Sequence, residues 1–305
     1  MAADRIRGLV QRLYGRLLER EISATPDHVA VIQDGNRRYA RERGKDKTDG
    51  HRAGAETTEA VMRWCDELGI RELTLYAFST ENFKRPQDER EALFDLIADR
   101  LYSFADKADV HDRRVRIRAI GETHRLPDRV QEAIDYAEAR TEEYSRLQLN
   151  VALAYGGRNE LLDVTRAFAR EAAAGTIDPA DITVSEVNER VMERPTQPVD
   201  LIIRTGGEKR TSNFLPWHAS GNEAAAYFCT PYWPEFSRAD LLRAIRTYES
   251  REESWRRSRL QRAITLAGAI GESKPEVASR LLEKLREEPD TEAKASKPEE
   301  SSTGD

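Results

Sequence analysis

Cysteine is scarce in this chain and never clustered. Cys65 and Cys229 are the two it has among 305 residues. Without a CxxC pair there is neither a disulfide framework nor a zinc-ligand spacing, and both thiols stand in partly apolar surroundings that suit buried, inert cysteines in a reducing compartment. No apolar stretch approaches the length of a membrane span. The first residues lack the unbroken apolar core of a secretory signal. The expectation is a cytoplasmic protein, at most peripheral at a membrane. Positive charge does not dominate either: the formal net charge is −6, which gives no general affinity for nucleic acid. There is no internal repeat. What remains, 39% hydrophobic and 34% charged residues, is polar but sufficient for a sizeable core.

Residues 4–22 place Ile6, Leu9, Val10, Leu13, Leu17 and Leu18 on one helical stripe among arginines. Such a basic amphipathic helix can lie on a membrane surface, although packing on the following domain is the commoner use of a stripe. After Pro26, strands and helices alternate. The strand expectations are 28–34, 72–78, 115–120, 147–155, 200–205 and 224–229. Helices are expected over 52–68, 87–109 and 160–174 between them, and over 238–286 after them. This pattern predicts an α/β fold, a single domain around a central, mostly parallel six-stranded sheet flanked by helices, with helical N- and C-terminal extensions. The expected divisions are 1–25, 26–255, 256–286 and a tail over 287–305 that is almost without apolar residues and expected to be disordered.

In such sheets the chemistry lies beyond the carboxyl ends of the strands. Those ends read Asp34-Gly35-Asn36-Arg37-Arg38, then Ser79-Thr80-Glu81-Asn82-Phe83-Lys84-Arg85, then Tyr155-Gly156-Gly157-Arg158, then Arg204-Thr205-Gly206-Gly207 running on to Arg210-Thr211-Ser212. Glycine lets backbone approach a ligand closely, arginine grips phosphate oxygens bidentately, and a carboxylate among them is a hard oxygen ligand for magnesium. Taken singly, DGN, YGG and TGG are common turns, and a lone arginine is a surface ion pair. Gathered on one edge, they describe a metal–phosphate site.

The blocks HVAVIQDGNRRYAR (28–41), GHRAGA (50–55), YAFSTENFKRP (76–86), LNVALAYGGR (149–158) and DLIIRTGGEKRTSNFLPW (200–217), closing on Glu223, resemble the cis-prenyltransferase family, which includes undecaprenyl and dehydrodolichyl diphosphate synthases. The resemblance runs from about His28 to Trp255. It implies repeated condensation of isopentenyl diphosphate with an allylic diphosphate, with cis double bonds, giving a long-chain polyprenyl diphosphate that is the precursor of a glycosyl carrier lipid. It also implies Mg2+ as cofactor and a homodimer.

By the same resemblance Asp34 is the central acid and a metal ligand, with Glu223 as the second carboxylate. Gly35, Asn36, Arg37 and Arg38 cradle the allylic diphosphate at a helix N-terminus, with Arg43, Lys47 and His51 nearby. Arg204, Arg210 and Ser212, with Thr211 between them, form the isopentenyl diphosphate clamp. Asn82 matches the position assigned to proton removal, but an amide is a poor base, and orienting a water or the diphosphate suits it as well. Ser79, Thr80, Glu81, Phe83 and Arg85 line the same pocket, and Tyr39 and Phe83 keep an aromatic wall where tryptophans are usual. Lys47 replaces an arginine and loses the bidentate fork. Lys209 replaces a histidine and is no metal ligand. GNRRYAR resembles the archaeal and eukaryotic branch, whose archaeal members commonly start from geranylgeranyl diphosphate; farnesyl diphosphate is the alternative starter.

The product needs an apolar path, for which Val61, Trp64, Cys65 and Leu68 offer one wall and Leu93, Phe94, Ile97, Leu101 and Phe104 the other. Periodicity alone makes both sets core stripes. Two rivals are a haloacid-dehalogenase-like phosphotransferase and a catalytically silent partner subunit. The first needs a second acid where Asn36 stands. The second should have lost the acid and the clamp, both of which this chain keeps.

Overall fold

The computed structural model describes residues 19–20, 22–191, 198–220, 224–252 and 254. Contacts divide the chain into two compact units, 1–249 and 250–305, and the first holds both the sheet and the site. The expected amphipathic helix before Glu19, Glu223 and the whole of 256–305 lie outside the described residues.

The order is β1 (His28–Ile32), α1 (Asn36–Glu42), α2 (Lys47–Glu67), β2 (Glu72–Ser79), a 3-10 turn (Thr80–Lys84), α3 (Gln87–Ala105), α4 (Ala108–Asp112), β3 (Val115–Ile120), α5 (Asp128–Thr141), β4 (Leu147–Tyr155), α6 (Gly157–Ala173), α7 (Val184–Val191), β5 (Leu201–Arg204), α8 (Pro216–Ser220) and β6 (Ala225–Phe228). A second 3-10 turn spans Trp233–Glu235, and residues 238–249 are helical. The strands form one sheet in the order β3-β4-β2-β1-β5-β6, and every pairing is parallel.

β1 and β5 are buried along their whole length, which is why they read as unbroken apolar runs rather than alternating ones. After β1 the chain moves to one side of the sheet to build β2, β3 and β4. It then returns across to β5 on the other side. The crevice at such a reversal is where doubly wound sheets bind ligands. The register of β2 against β4 shifts around Tyr76–Ser79, an irregularity that re-aims the strand end.

The expected long helix 87–109 is broken. Lys107 is extended, and α4 starts a new helix at Ala108 whose Val110 is buried. The helix expected from residue 52 begins earlier, at Lys47. Its polar, glycine-containing first turns hide the period, and Gly50 and Gly54 are there for contact: a Cβ on Gly50 would lie 2.2 Å from the Asn36 carbonyl oxygen, and one on Gly54 would lie 2.5 Å from Asn36 Oδ1.

Candidate active site

β1 ends in a turn built around Gly35, which has φ 103° and leaves a hypothetical Cβ only 2.5 Å from the Tyr232 ring. Only glycine meets both demands. The turn hangs from β5: the Thr205 hydroxyl accepts the Asp34 N–H at 3.0 Å and donates to the Asp34 carbonyl at 2.7 Å, and that carbonyl also accepts the Trp233 N–H at 3.0 Å.

The Asp34 carboxylate lies between two guanidinium groups. Arg38 Nη2 donates to Oδ1 at 3.0 Å and Arg204 Nη2 to Oδ2 at 2.9 Å. Burial pushes this acid up, but the hydrogen bonds and charges of Arg204 and Arg38 outweigh it and hold the carboxyl below its ordinary value. Asp34 is therefore an anion at neutral pH. Arg38 also donates to the Gly206 carbonyl at 2.8 Å.

Arg204 is 5% exposed. Its Nη1 donates to the Arg210 carbonyl at 2.6 Å and to Ser212 Oγ at 2.5 Å. Because Ser212 Oγ accepts from a guanidinium, its own proton is directed elsewhere and is available to an anion. Arg210, by contrast, is 69% exposed at its side chain and, among the described residues, makes only a loose pair with Glu208 at 3.5 Å.

At the end of β2, Asn82 Oδ1 accepts the Ser79 N–H at 3.0 Å. That commits the amide oxygen to a backbone cap and leaves the amide nitrogen as the functional end. A little further along, three cations converge on one carboxylate at the start of α3. Arg85, Arg37 and Lys47 lie 2.7, 3.0 and 3.3 Å from Glu89 oxygens. His51 faces the same cluster. Burial, aided by the charges of Arg85 and Arg37 and opposed by Glu89, pushes it down to about 4, so its imidazole is neutral at pH 7.

These groups open onto a cleft of about 420 Å³. Asp34, Asn36, His51, Ser79, Glu81, Asn82, Arg85, Arg204, Arg210 and Ser212 all line it. Its floor and far wall are apolar: Leu93, Leu96, Ile97, Leu101 and Phe104 from α3, with Ile117, Leu149 and Val151 from the sheet.

Several expected residues sit elsewhere. Gly35, Arg37, Arg38, Tyr39, Lys47, Thr80, Phe83 and Thr211 surround the cleft without lining it. The aromatic wall is displaced. Phe83 packs edge-on against Phe78 at 5.1 Å, with Arg125 over its ring at 4.5 Å, and Tyr39 is covered by Arg43 at 3.9 Å. The path's first wall is also corrected. Val61 and Cys65 are fully buried in the core, because the most apolar face of α2 packs there, and Ala55, Thr58 and Glu59 line the cleft instead. Phe94 likewise belongs to the core. Glu89, Trp233 and Tyr232 are not among the residues that the sequence singles out. The spacing of Glu89 from Arg85, one helical turn, is the one signal that could have raised it.

A magnesium ion suits this donor set. Asp34 is an ionised, hard oxygen donor with a 30% exposed side chain. Each of its oxygens retains a lone pair beyond the one an arginine occupies. Among the described residues no group of three or more His, Cys, Asp or Glu could hold a metal unaided, so substrate phosphates would complete the shell, as magnesium prefers.

Comparison with known proteins places this arrangement. A family model described as "Putative undecaprenyl diphosphate synthase" matches residues 32–256. The tritrans,polycis-undecaprenyl-diphosphate synthases (geranylgeranyl-diphosphate specific) of Halobacterium salinarum and Haloarcula marismortui are 61% and 59% identical over 274 residues, in each case 90% of this chain and 90% of the relative. Among solved structures, lavandulyl diphosphate synthase from Lavandula x intermedia in complex with dimethylallyl diphosphate superposes with a TM-score of 0.69 at 34% identity, covering 73% of this chain and 95% of that one. Fold and site together define an enzyme that transfers prenyl groups. The chain belongs to the undecaprenyl diphosphate synthase family of cis-prenyltransferases.

Proposed function

We propose that the cleft condenses isopentenyl diphosphate repeatedly onto geranylgeranyl diphosphate, giving an undecaprenyl-type polyprenyl diphosphate that serves as precursor of a glycosyl carrier lipid. The starter and product follow the names of the Halobacterium salinarum and Haloarcula marismortui relatives. The observation that carries the reading is the sharing of one carboxylate, Asp34, between Arg38 and Arg204. This brings a cationic nest on the β1–α1 side against an anion clamp on the β5 side.

In this reading Arg85, Asn36 and the neutral His51 hold the allylic diphosphate in the cleft, with Arg37, Lys47 and the Gly35 turn around it and Arg38 bracing Asp34 and Gly206 from beside it. Ser212 and Arg210 hold isopentenyl diphosphate. Arg204 acts mainly from behind, since both of its terminal nitrogens are engaged with Asp34 and the 210–212 loop. Holding both diphosphates fixed turns the encounter of two anions into a positioned reaction. The allylic C–O bond ionises, the isopentenyl alkene attacks the cation, and a proton is lost to restore the double bond. Asn82, its oxygen already used, orients a diphosphate or a water through its amide nitrogen rather than taking that proton itself. Asp34, with Glu223 by resemblance, would hold magnesium, which when bound neutralises charge on the departing diphosphate. The apolar floor receives the lengthening chain.

A homodimer and a cytoplasmic setting belong to the same proposal. The resemblance supports the first and the two buried free cysteines the second. Peripheral membrane contact rests on the arginine-flanked stripe of residues 4–22. Among the described residues no helix is long and apolar enough to cross a membrane.

The test is incubation of the purified protein with radiolabelled isopentenyl diphosphate, magnesium and each of dimethylallyl, geranyl, farnesyl and geranylgeranyl diphosphate, with the products then sized. Highest incorporation with geranylgeranyl diphosphate is expected. Preference for farnesyl diphosphate would reject the starter, and no incorporation with any of them would reject the function.

A further inference from the structure

The loop that carries Arg210 and Ser212 takes a costly path. Ser212 has φ 50° and Asn213 φ 63°, the left-handed region that asparagine tolerates and serine enters less readily. Within it Phe214 N–H donates to the Thr211 carbonyl at 3.1 Å, and two further sets of contacts hold it there. From one side, Arg204 Nη1 donates to the Arg210 carbonyl and to Ser212 Oγ. From the other side comes the N-terminus of α6. Its N-cap position is Gly156, which has no side chain to cap with. The first two helical N–H groups turn to Asn213 instead: Gly157 N–H donates to the Asn213 carbonyl at 3.0 Å, and Arg158 N–H donates to Asn213 Oδ1 at 2.9 Å. Asn213 thus caps a helix that begins 56 residues earlier in the chain.

The glycine pair of the Tyr155-Gly156-Gly157-Arg158 stretch makes this approach possible. A Cβ on Gly156 would lie 2.6 Å from Thr80 Oγ1 and 3.2 Å from Asn213 Nδ2, and one on Gly157 would lie 2.1 Å from Pro216 Cδ. These glycines let the helix end meet the loop. Downstream, the chain is fixed independently: Phe214 is fully buried and stacks on Tyr76 with ring centroids 4.4 Å apart. Loss of the Asn213 side chain should therefore loosen the 210–212 segment while Phe214 and the residues after it stay anchored.

We propose that Asn213 is a positioning residue for isopentenyl diphosphate: by capping α6 it fixes the backbone that aims the Ser212 hydroxyl and Arg210 at that substrate. This rests on the assignment of Arg210 and Ser212 to the isopentenyl diphosphate clamp.

Steady-state kinetics on Asn213→Gly, Asn213→Asp, Ser212→Ala and Arg210→Ala separate the two claims. Asn213→Gly keeps the left-handed backbone and removes Oδ1. It should raise the KM for isopentenyl diphosphate about tenfold or more, with kcat and the KM for the allylic diphosphate within about twofold. Asn213→Asp retains both the acceptor and the tolerance of positive φ, and should recover the KM to within about threefold of the parent. An unchanged KM for isopentenyl diphosphate in Asn213→Gly, while Ser212→Ala and Arg210→Ala raise it, would overturn the proposal. So would a rise common to the glycine and aspartate variants, or an equal loss for both substrates. If Ser212→Ala and Arg210→Ala themselves leave that KM unmoved, the clamp assignment is what fails. Should Asn213→Gly not fold, Asn213→Asp decides alone: a KM raised tenfold despite the retained acceptor overturns the proposal.

Discussion

Arg204 Nη2 lies 2.9 Å from Asp34 Oδ2, joining the tips of two neighbouring strands whose residues are 170 positions apart. The contact does more than balance charge. With Arg38 on the other oxygen, it keeps the acid ionised and fixed in direction, and it ties the carboxylate proposed to hold magnesium to the loop proposed to hold the second substrate. Asp34→Ala should lower kcat roughly 10²–10³-fold, the scale on which removing one preorganised electrostatic partner acts. The fold should survive, because Arg204 keeps its bonds to Arg210 and Ser212. Turnover and circular dichroism on the same preparation check both halves, and normal turnover would exclude the metal role.

Arg204 and Arg210 should fail differently. Arg210 is exposed, so Arg210→Ala should leave the urea midpoint of unfolding nearly unchanged, within about 0.5 kcal/mol, and act on the KM for isopentenyl diphosphate. Arg204→Ala removes a buried guanidinium that ties Asp34 to the Arg210 carbonyl and Ser212 Oγ and should cost about 1–3 kcal/mol of stability besides weakening isopentenyl diphosphate binding. Equal effects on stability would count against the division into an outer hand and an inner brace.

His51 gives the stability a pH dependence. Its folded value is about 4, against about 6.5 for an unfolded-chain histidine. Between these values the unfolded chain binds the proton and the folded one does not. The stabilisation is thus complete above about pH 6.5 and is lost as pH falls toward 4, with a limit on the order of 3 kcal/mol. Urea midpoints at pH 7.5, 6 and 5 should fall more steeply for the parent than for His51→Gln. Parallel curves would show that the imidazole does not titrate in this range.

Gly50 offers a packing test. Its absent Cβ would lie 2.2 Å from a backbone carbonyl, that of Asn36, and 3.0 Å from the Ala40 side chain. Gly50→Ala should therefore force α1 away from α2, costing about 1–3 kcal/mol as overpacking does. It should also raise the KM for the allylic diphosphate, since α1 carries Arg37 and Arg38. A melting temperature and KM like the parent's would mean that the two helices have room.

The sheet and the cation-rich edge were legible in the sequence for a simple reason. Fully buried strands such as β1 and β5 read as short apolar runs, and the residues just past them carry the chemistry. Side-chain direction was not legible. The stripe of Val61 and Cys65 suggested a product wall but faces the core, and Phe83 turned sideways onto Phe78. Nor could a linear reading show that Arg85, Arg37 and Lys47 meet at Glu89, because that convergence joins α1, α2 and α3 in space. The DGN, YGG and TGG turns were read as places for a ligand. The structure shows part of their use to be internal: Gly35 admits the Tyr232 ring, and Gly156 and Gly157 admit the 212–216 loop.

The parallel sheet orders the birth of the enzyme. Its acid is made with the first strand and its brace with the fifth, so a ribosome must release nearly the whole domain before both proposed diphosphate holders can exist together. Until then Arg38 has one of its two acceptors, Asp34, and lacks the other, the Gly206 carbonyl. Contacts between such distant parts of a chain close slowly, so docking of β5 against β1 is expected late in folding.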